Sequence, residues 1–396
     1  MKKGNVAAML GILKPFRSLD PFLIMLIATV AAASLLPARG MAADWTDIAA
    51  DAAIALLFFM HGAKLSRQAI LQSVGHWRLH GLVFSSTYIL FPIAGLATVM
   101  VAGGWINPLL LSGLLFLTLL PSTVQSSIAF TAMAGGNVAA AVTSASLSNL
   151  FGILLTPLLV SLFMQAGGNG AISTWDSVGG IVLQLLVPFI GGHLLRPWIG
   201  GFIERNKKIL GPVDRASILL VVYSAFSAAV INGIWNRVGV VDLAELLLLS
   251  GLILAFIMGA NVLAARVAGL SREDSIVLLF CGSKKSLVSG VPMAGALFAP
   301  AQVGLVVLPL MIFHQLQLFV CAALAGRFRR EAEERARLAA AAASTVVPRS
   351  EDEIAEAAKA AGMEVPEACI PGVVANLGLL DRHAKALLGP NGHPKA

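Results

Sequence analysis

The sequence has few charged residues for its length. Only 12% of its 396 residues are Asp, Glu, Lys or Arg, and 57% are hydrophobic. A soluble domain is expected to carry about 25% charged residues. The mean hydropathy of +0.84 points the same way. This shortage of charge excludes an ordinary soluble domain, and we predict an all-α protein that crosses a lipid bilayer several times.

Cysteine and enzyme motifs are scarce as well. The three cysteines, Cys281, Cys321 and Cys369, are too few and too scattered for a disulfide framework or a metal site. We therefore expect reduced thiols that pack. The apolar segments contain no paired Asp, His-rich motif or Gly-x-Ser-x-Gly, which argues against an intramembrane enzyme. No cofactor is expected beyond a coupling ion.

Apolar runs of about 20 residues predict ten membrane spans. They lie near 20–37, 46–64, 80–102, 108–134, 138–165, 175–195, 216–235, 242–265, 274–298 and 303–326. Lys and Arg concentrate in alternate loops, and only Arg39 and Arg237 fall on the other side. By the positive-inside rule, both termini are then cytoplasmic, in the cell (inner) membrane. The net charge of +7 is explained without a nucleic-acid partner.

The ten spans divide into two sets of five. Ser126 in span four and Ser286 in span nine are 160 positions apart, and the same offset superposes the Met-Ala-Gly triplets that close both spans. Repeats with an odd number of spans insert upside down relative to each other, as in many secondary transporters. We predict four segments: a cytoplasmic N-terminus (1–19), two inverted repeats (20–165 and 166–326) and a cytoplasmic tail (327–396). The tail is expected to hold one short amphipathic helix and a loosely ordered end.

Two adjacent lysines, Lys284 and Lys285, interrupt the apolar stretch 275–298. A charge at membrane depth costs roughly 2.5–3.5 kcal/mol on insertion scales, so intramembrane charges usually have a function. Helix breakers accompany the lysines: Gly282, Gly290 and Pro292 in span nine, and Pro121 in span four. In inverted-repeat transporters, such broken helices form the substrate and ion site. We therefore predict that spans four and nine are discontinuous and meet at the site.

At these segments the chain resembles the bile acid:sodium symporter family, especially the branch with the seventh member of solute carrier family 10 and its bacterial homologues. The motifs are Pro121-Ser-Thr-Val-Gln-Ser-Ser-Ile-Ala-Phe-Thr, Asn137-Val138, Ser144-Ala-Ser-Leu-Ser-Asn-Leu, Thr156-Pro157-Leu158, Phe280-Cys281, Lys285-Ser286-Leu287 and His314. The resemblance covers roughly residues 15–326. It implies that spans four and nine cross in a core domain (spans three to five and eight to ten). This core moves against a panel domain (spans one, two, six and seven).

Site residues follow from the residue types and the resemblance together. The predicted substrate and ion site consists of Ser122, Thr123, Gln125, Ser126, Ser127, Ser144, Ser148, Asn149, Gly282, Ser283, Lys284, Lys285, Ser286 and His314. The resemblance implies a sodium site at Ser126, Ser127, Ser144 and Ser148. Better-known members of the family carry a sodium-binding glutamate at the start of the ninth-span break, where this chain has Phe280. The two lysines stand at positions where those members carry neutral amides.

The missing glutamate makes ordinary two-sodium symport doubtful. We expect secondary transport of a small organic anion or related metabolite, with one lysine ammonium in the place of the missing cation. Proton coupling is the second alternative, since burial and a neighbouring like charge both disfavour the charged form of a lysine. A membrane regulator of calcium homeostasis without symport and, less favoured, an intramembrane enzyme stay open. A homodimer is one alternative for the assembly.

Several polar residues have a plainer interpretation. The lysines could be a structural peg held by backbone carbonyls, and the serines could join helices by hydrogen bonds. His61 and His314 could relay protons, but packing is favoured for both. Asp47 and Asp51 lie one helical turn apart near the outer end of span two and are expected at the membrane interface.

Overall fold

The computed structural model describes residues 21–64, 76–165, 175–344 and 350–388. All regular structure in these ranges is helical and no β-strand occurs, which confirms the predicted all-α class. The expected cytoplasmic segment 1–19 lies outside the described residues. So do the loop cations Lys2, Lys3, Lys14, Arg17 and Arg67.

Fifteen α-helices are described in chain order. They are α1 Pro21–Leu35, α2 Met41–Lys64, α3 Trp77–Ala102 (with a π-helical turn at Ser86–Leu90), α4 Pro108–Thr118, α5 Gln125–Met133, α6 Val138–Gln165, α7 Trp175–Arg205, α8 Lys207–Ile231, α9 Ile234–Arg237, α10 Val240–Val267, α11 Arg272–Gly282, α12 Leu287–Leu297, α13 Pro300–Ser344, α14 Glu351–Ala360 and α15 Ile370–Leu388.

Seven segments among the described residues are long and apolar enough to cross a membrane. They correspond to α2, α3, α6, α8, α10, the α11–α12 pair and the apolar part of α13. Length and hydropathy alone therefore do not establish ten spans. The described helix of the first predicted span has only 15 residues. The fourth predicted span is divided into α4 and α5, because the chain leaves helical geometry between them.

The α11–α12 pair is the most deeply buried candidate span. Of its most apolar 18 residues, 94% are buried inside the protein, against 39% to 50% in the other six. A lipid-facing helix keeps one side uncovered, so this pair lies at the centre of the helices around it. Its neighbours are α3, α5, α6 and α10 around α11, and α2, α7, α8 and α6 around α12.

A second group of helices is organised around α2, which packs against α7 and α8, while α8 also packs against α1. The α2–α7 crossing depends on glycine in both helices. A Cβ atom at Gly62 would lie 1.9 Å from the backbone oxygen of Phe189, and one at Gly192 would lie 1.9 Å from that of Phe59. Small residues at such positions allow two backbones to approach within van der Waals contact.

Residues from Phe328 onward form a second compact unit. In it, α14 begins with a capping box: the Ser350 hydroxyl accepts from the Glu353 amide at 3.2 Å, and the Glu353 carboxylate accepts from the Ser350 amide at 3.3 Å. The predicted loosely ordered end is wrong for residues 370–388, which form α15. Pro371 does not prevent this helix, because it stands in the first turn, where its missing N–H removes no hydrogen bond.

Candidate functional site

The first break separates α4 from α5 at residues 119–124. The side chain of Asn107 caps the start of α4 by accepting from the Leu109 amide at 3.0 Å. The helix ends at Thr118, and Pro121, which has no N–H to donate, follows within the break. The carbonyl groups at this end of α4 therefore need partners from elsewhere in the protein.

The second break separates α11 from α12 at residues 283–286. The Ser271 hydroxyl caps the start of α11, accepting from the Asp274 amide at 3.1 Å. After the break, the Ser286 hydroxyl caps α12 by accepting from the Ser289 amide, also at 3.1 Å. Both halves of the ninth predicted span thus start with a serine cap, a local sequence signal that accounts for the discontinuity.

The two breaks meet at the centre of the protein. The Ser286 amide donates to the carbonyl oxygen of Pro121 at 2.9 Å, which joins them directly. The last three carbonyls of α11 each accept a serine hydroxyl from another element. Ser127 donates to Phe280 (3.2 Å), Ser122 to Cys281 (2.6 Å) and Ser86 to Gly282 (2.8 Å). These neutral donors satisfy the C-terminal end of α11.

The C-terminal end of α4 is satisfied instead by a cation. The ammonium of Lys285 donates to the carbonyl oxygens of Thr118 (2.8 Å) and Leu120 (2.7 Å) and to that of Thr87 in α3 (2.8 Å). A lysine ammonium has three donors, and all three are used. The side chain is fully buried. Its charge also complements the negative end of the α4 dipole, so Lys285 holds three structural elements together.

The backbone of Lys285 is held as well. The side chain of Gln317 in α13 accepts from the Lys285 amide and donates to its carbonyl, both at 2.9 Å. Gln317 is fully buried, and its amide group also contacts the ring of His314 at 2.9 Å. His314 therefore reaches the break through Gln317, since it belongs to the same helix and shares this hydrogen bond.

Lys284 has a different environment from its neighbour. Its side chain is fully buried, yet its ammonium has no hydrogen-bond partner among the described residues. The nitrogen lies 4.1 Å from the ring centre of Phe130 and 5.6 Å from that of Phe280. Aromatic faces attract a cation but do not replace its hydrogen bonds. Of the two lysines, only Lys284 retains unused donors.

Helix α6 supports the first break through two of the predicted residues, Ser148 and Asn149. The Ser148 hydroxyl accepts from the Ser122 amide at 3.0 Å, and Asn149 donates to the Ser122 carbonyl at 2.7 Å. Asn149 also accepts from Ser289 in α12 at 2.8 Å, so it bridges the two breaks. Ser144, in contrast, pairs with the ring of His80 in α3 at 2.8 Å.

The predicted residues are not all gathered at the crossing. Thr123 pairs with Ser126 and Ser127 at 2.8 and 2.9 Å, within the first break and the start of α5. Ser283, the first residue of the second break, donates back to the Leu279 carbonyl of the preceding helix α11. Gln125, the first residue of α5, is exposed and is not brought into this network.

The sequence did not single out several residues that the site uses. Thr87, Thr118 and Leu120 contribute backbone oxygens, which no residue-type pattern can identify. Gln317 and Phe130 contribute side chains. A search for polar residues in the apolar run of α13 does find Gln317, but its partner is visible only after the break has folded.

The donor set at the crossing is rich in neutral oxygen and contains two ammonium groups. Nowhere in the described ranges do three or more His, Cys, Asp or Glu side chains form a group suited to a metal ion. Phe280, at the position that the resemblance assigns to a sodium-binding glutamate, packs its ring against Phe130 at 6.0 Å. The crossing therefore has an aromatic ring at the position of the family's glutamate and two lysines at the positions of its neutral amides.

Comparison with known proteins identifies the family to which the chain belongs. A sequence profile described as the SBF-like CPA transporter family matches residues 20–330. The chain belongs to this family. "Putative symporter YfeH" of Escherichia coli K12 is 54% identical over 322 residues, covering 81% of this chain and 96% of that protein. Protein PA2026 of Pseudomonas aeruginosa is 53% identical over 325 residues, covering 82% and 97%.

The chain is also similar to a vertebrate protein. Sodium/bile acid cotransporter 7 of Mus musculus is 27% identical over 305 residues, covering 76% of this chain and 89% of that protein. This confirms the resemblance inferred from the motifs of the fourth, fifth and ninth predicted spans. The Escherichia coli and Mus musculus relatives are named as transporters and not as enzymes. This member of the SBF-like CPA transporter family is thus a multi-pass membrane transporter.

Proposed function

We propose that the protein is a secondary active transporter of a small organic anion or related metabolite. The single observation that carries this proposal is the Lys285 ammonium, held by the carbonyls of Thr87, Thr118 and Leu120 at 2.7–2.8 Å. Backbone oxygens at a broken helix are the ligands that such transporters offer to a coupling cation. The Lys285 ammonium lies between these oxygens and takes the place of that ion, so transport needs no sodium at this position.

Lys284 supplies the positive centre for the anion in this proposal. Its ammonium is buried, has no hydrogen-bond partner among the described residues, and lies next to the break. A carboxylate or sulfonate that reaches it gains charge-assisted hydrogen bonds in a site of low dielectric. Proton exchange on the same nitrogen is the alternative form of coupling.

The helix packing supports an alternating-access architecture of two inverted five-helix repeats and ten spans. Helices α1, α2, α7 and α8 pack together and correspond to the panel. Helices α3–α6 and α10–α12 pack around the two breaks, and α13 reaches the second break through Gln317. Together these helices correspond to the core. In this proposal the core moves against the panel and carries the lysines with it. Both termini are placed in the cytoplasm, since Lys and Arg concentrate in the loops on that side.

A thermal-shift screen tests substrate and coupling ion together. The purified protein is heated with small carboxylates and with taurocholate, each in sodium buffer and in N-methylglucamine buffer. We expect at least one anion to raise the unfolding midpoint equally in both buffers, and Lys284→Met to abolish that rise. Uptake of the same anion into proteoliposomes then measures transport.

Two outcomes contradict the proposal. Stabilisation and uptake that require sodium, and that persist in both Lys284→Met and Lys285→Met, show an ordinary sodium site. Binding without saturable uptake in either ion indicates a regulator and not a transporter. Uptake driven by an inward proton gradient alone supports the proton-coupled form.

A further inference from the structure

A crevice that neither lysine lines lies between α2, α8 and the junction of α12 with α13, with both polar and apolar side chains in its walls. It consists of two adjoining cavities of about 190 and 80 Å³. Asp47 and Ser224 line both cavities. Thr46, Ser227 and Asn232 line the larger one, and Asp51 lines the smaller one. The crevice is separate from the two helix breaks, so the proposed transport site does not account for it.

Two carboxylates face this crevice without a counter-charge. Asp47 and Asp51 lie one turn apart on α2, and the Ser224 hydroxyl of α8 donates to Asp47. Neither carboxylate forms an ion pair with a Lys, Arg or His side chain in the described part of the chain. Like charges at this spacing repel each other, and a bound cation would relieve that repulsion.

A buried hydroxyl gives an independent indication of a ligand. Ser227 lines the larger cavity and is 2% exposed, and its oxygen has no hydrogen-bond partner among the described residues. Leaving such a group unsatisfied costs about 1–3 kcal/mol, so an unpaired hydroxyl beside a cavity indicates a partner that enters it. Asn232 uses its Nδ2 to donate to the Ala228 carbonyl at 2.8 Å, which leaves its side-chain oxygen available.

We propose that this crevice binds a hard metal cation, with Asp47 and the hydroxyls of Ser224 and Ser227 as ligands in the larger cavity and Asp51 adding negative charge from the smaller one. Carboxylate, hydroxyl and amide oxygens are the ligands that alkali and alkaline-earth ions take in proteins. Neither lysine lines this site. The crevice offers carboxylate groups, whereas the ninth-span break offers none.

Direct binding of radioactive ²²Na⁺ and ⁴⁵Ca²⁺ to the purified full-length protein tests the site and distinguishes the two ion classes. We expect saturable binding of at least one ion to the wild type. Asp47→Asn combined with Asp51→Asn should weaken it at least about tenfold, the equivalent of 1.4 kcal/mol. Asp44→Asn is the matched control, because it removes the same charge from the same helix but does not line either cavity. It should leave binding within about twofold.

A second variant keeps the test decisive if the double asparagine variant folds poorly. Ser227→Ala removes one buried, unpaired hydroxyl, so it should fold normally and still weaken binding several-fold. The proposal is overturned if neither ion binds the wild type saturably, if Asp44→Asn loses as much affinity as the double variant, or if Ser227→Ala binds like the wild type. Lys284→Met and Lys285→Met should retain cation binding, so failure here is distinguishable from failure of the transport proposal.

Discussion

At the scale of single residues, two adjacent lysines have opposite environments. Lys285 uses its three ammonium donors on three backbone carbonyls, whereas Lys284 lies against aromatic rings with none of its donors used. Both are fully buried. The structural-peg interpretation therefore fits Lys285, and the unused charge of Lys284 is the one available to a ligand.

The two lysines should differ in what their loss does to stability. Lys285→Met leaves three buried carbonyls unpaired, so we expect the free energy of unfolding to fall by at least about 3 kcal/mol. Lys284→Met removes a buried charge that has no hydrogen bond, and replacing such a charge with an apolar side chain is often neutral or stabilising. Thermal unfolding in detergent measures both. Equal destabilisation by the two variants would contradict the assigned roles.

A similar contrast exists between two glutamines of α13. Gln317 holds both backbone groups of Lys285, whereas the side-chain oxygen of Gln315 is buried without a partner. Gln317→Leu should lower stability by about 1–3 kcal/mol because it leaves an amide and a carbonyl unpaired inside the protein. Gln315→Leu should be neutral or stabilising. If the unfolding midpoints of both variants fall alike, the hydrogen bonds from Gln317 to the Lys285 backbone are not what stabilises the second break.

At the scale of elements, the sequence predicts where helices break better than it predicts what holds the breaks. Pro121 and the Ser286 cap are local signals, and the structure has discontinuities at 119–124 and 283–286. The partners of Lys285 are backbone oxygens of α3, α4 and the first break, and a backbone oxygen cannot be identified from the residue type that carries it. Gln125 carried a suitable amide, but as the first residue of α5 it faces outward. Local signals in the sequence predicted the helix breaks, whereas the direction in which the Gln125 side chain points depended on how the helices pack.

The α2–α7 crossing allows an element-level test with adjacent glycines. A Cβ at Gly192 would lie 1.9 Å from the Phe59 oxygen, whereas a Cβ at Gly191 meets no atom within 4 Å. Gly192→Ala should force the helices apart and lower the unfolding midpoint. Gly191→Ala should leave it unchanged or raise it, since alanine favours a helix over glycine by about 1 kcal/mol. Similar midpoints for the two variants would show that this close approach is dispensable.

At the scale of the whole molecule, α12 connects the two groups of helices. It follows the second break and packs against α2, α7 and α8. If the core moves against the panel, the contacts of α12 must change in every cycle, whereas contacts within each group persist. The contacts around Gly295 must therefore separate during transport, whereas they would stay fixed if their role were only structural.

A reversible cross-link at this surface tests the proposed motion. A Cβ at Gly295 of α12 would lie 3.0 Å from Ile54 Cδ1 of α2. In a Cys369→Ser background, which removes the exposed native thiol, Ile54→Cys and Gly295→Cys are joined with a short bis-thiosulfonate. Uptake of the anion found by thermal shift should fall to background and return with dithiothreitol, because the linked helices can no longer separate.

The control joins two helices of the same group. Tyr223 of α8 donates to the Leu36 carbonyl, just after α1, at 2.7 Å, so Leu36→Cys with Tyr223→Cys places a link inside the panel. This link should leave uptake largely intact, since both ends move together. Full uptake in the α2–α12 cross-linked protein would exclude rigid-body motion of core against panel. Loss of uptake in both cross-linked pairs would mean that the cross-linking reagent itself inactivates the protein. The proposed motion then stands only if a shorter linker blocks uptake in the α2–α12 pair and spares it in the α1–α8 pair.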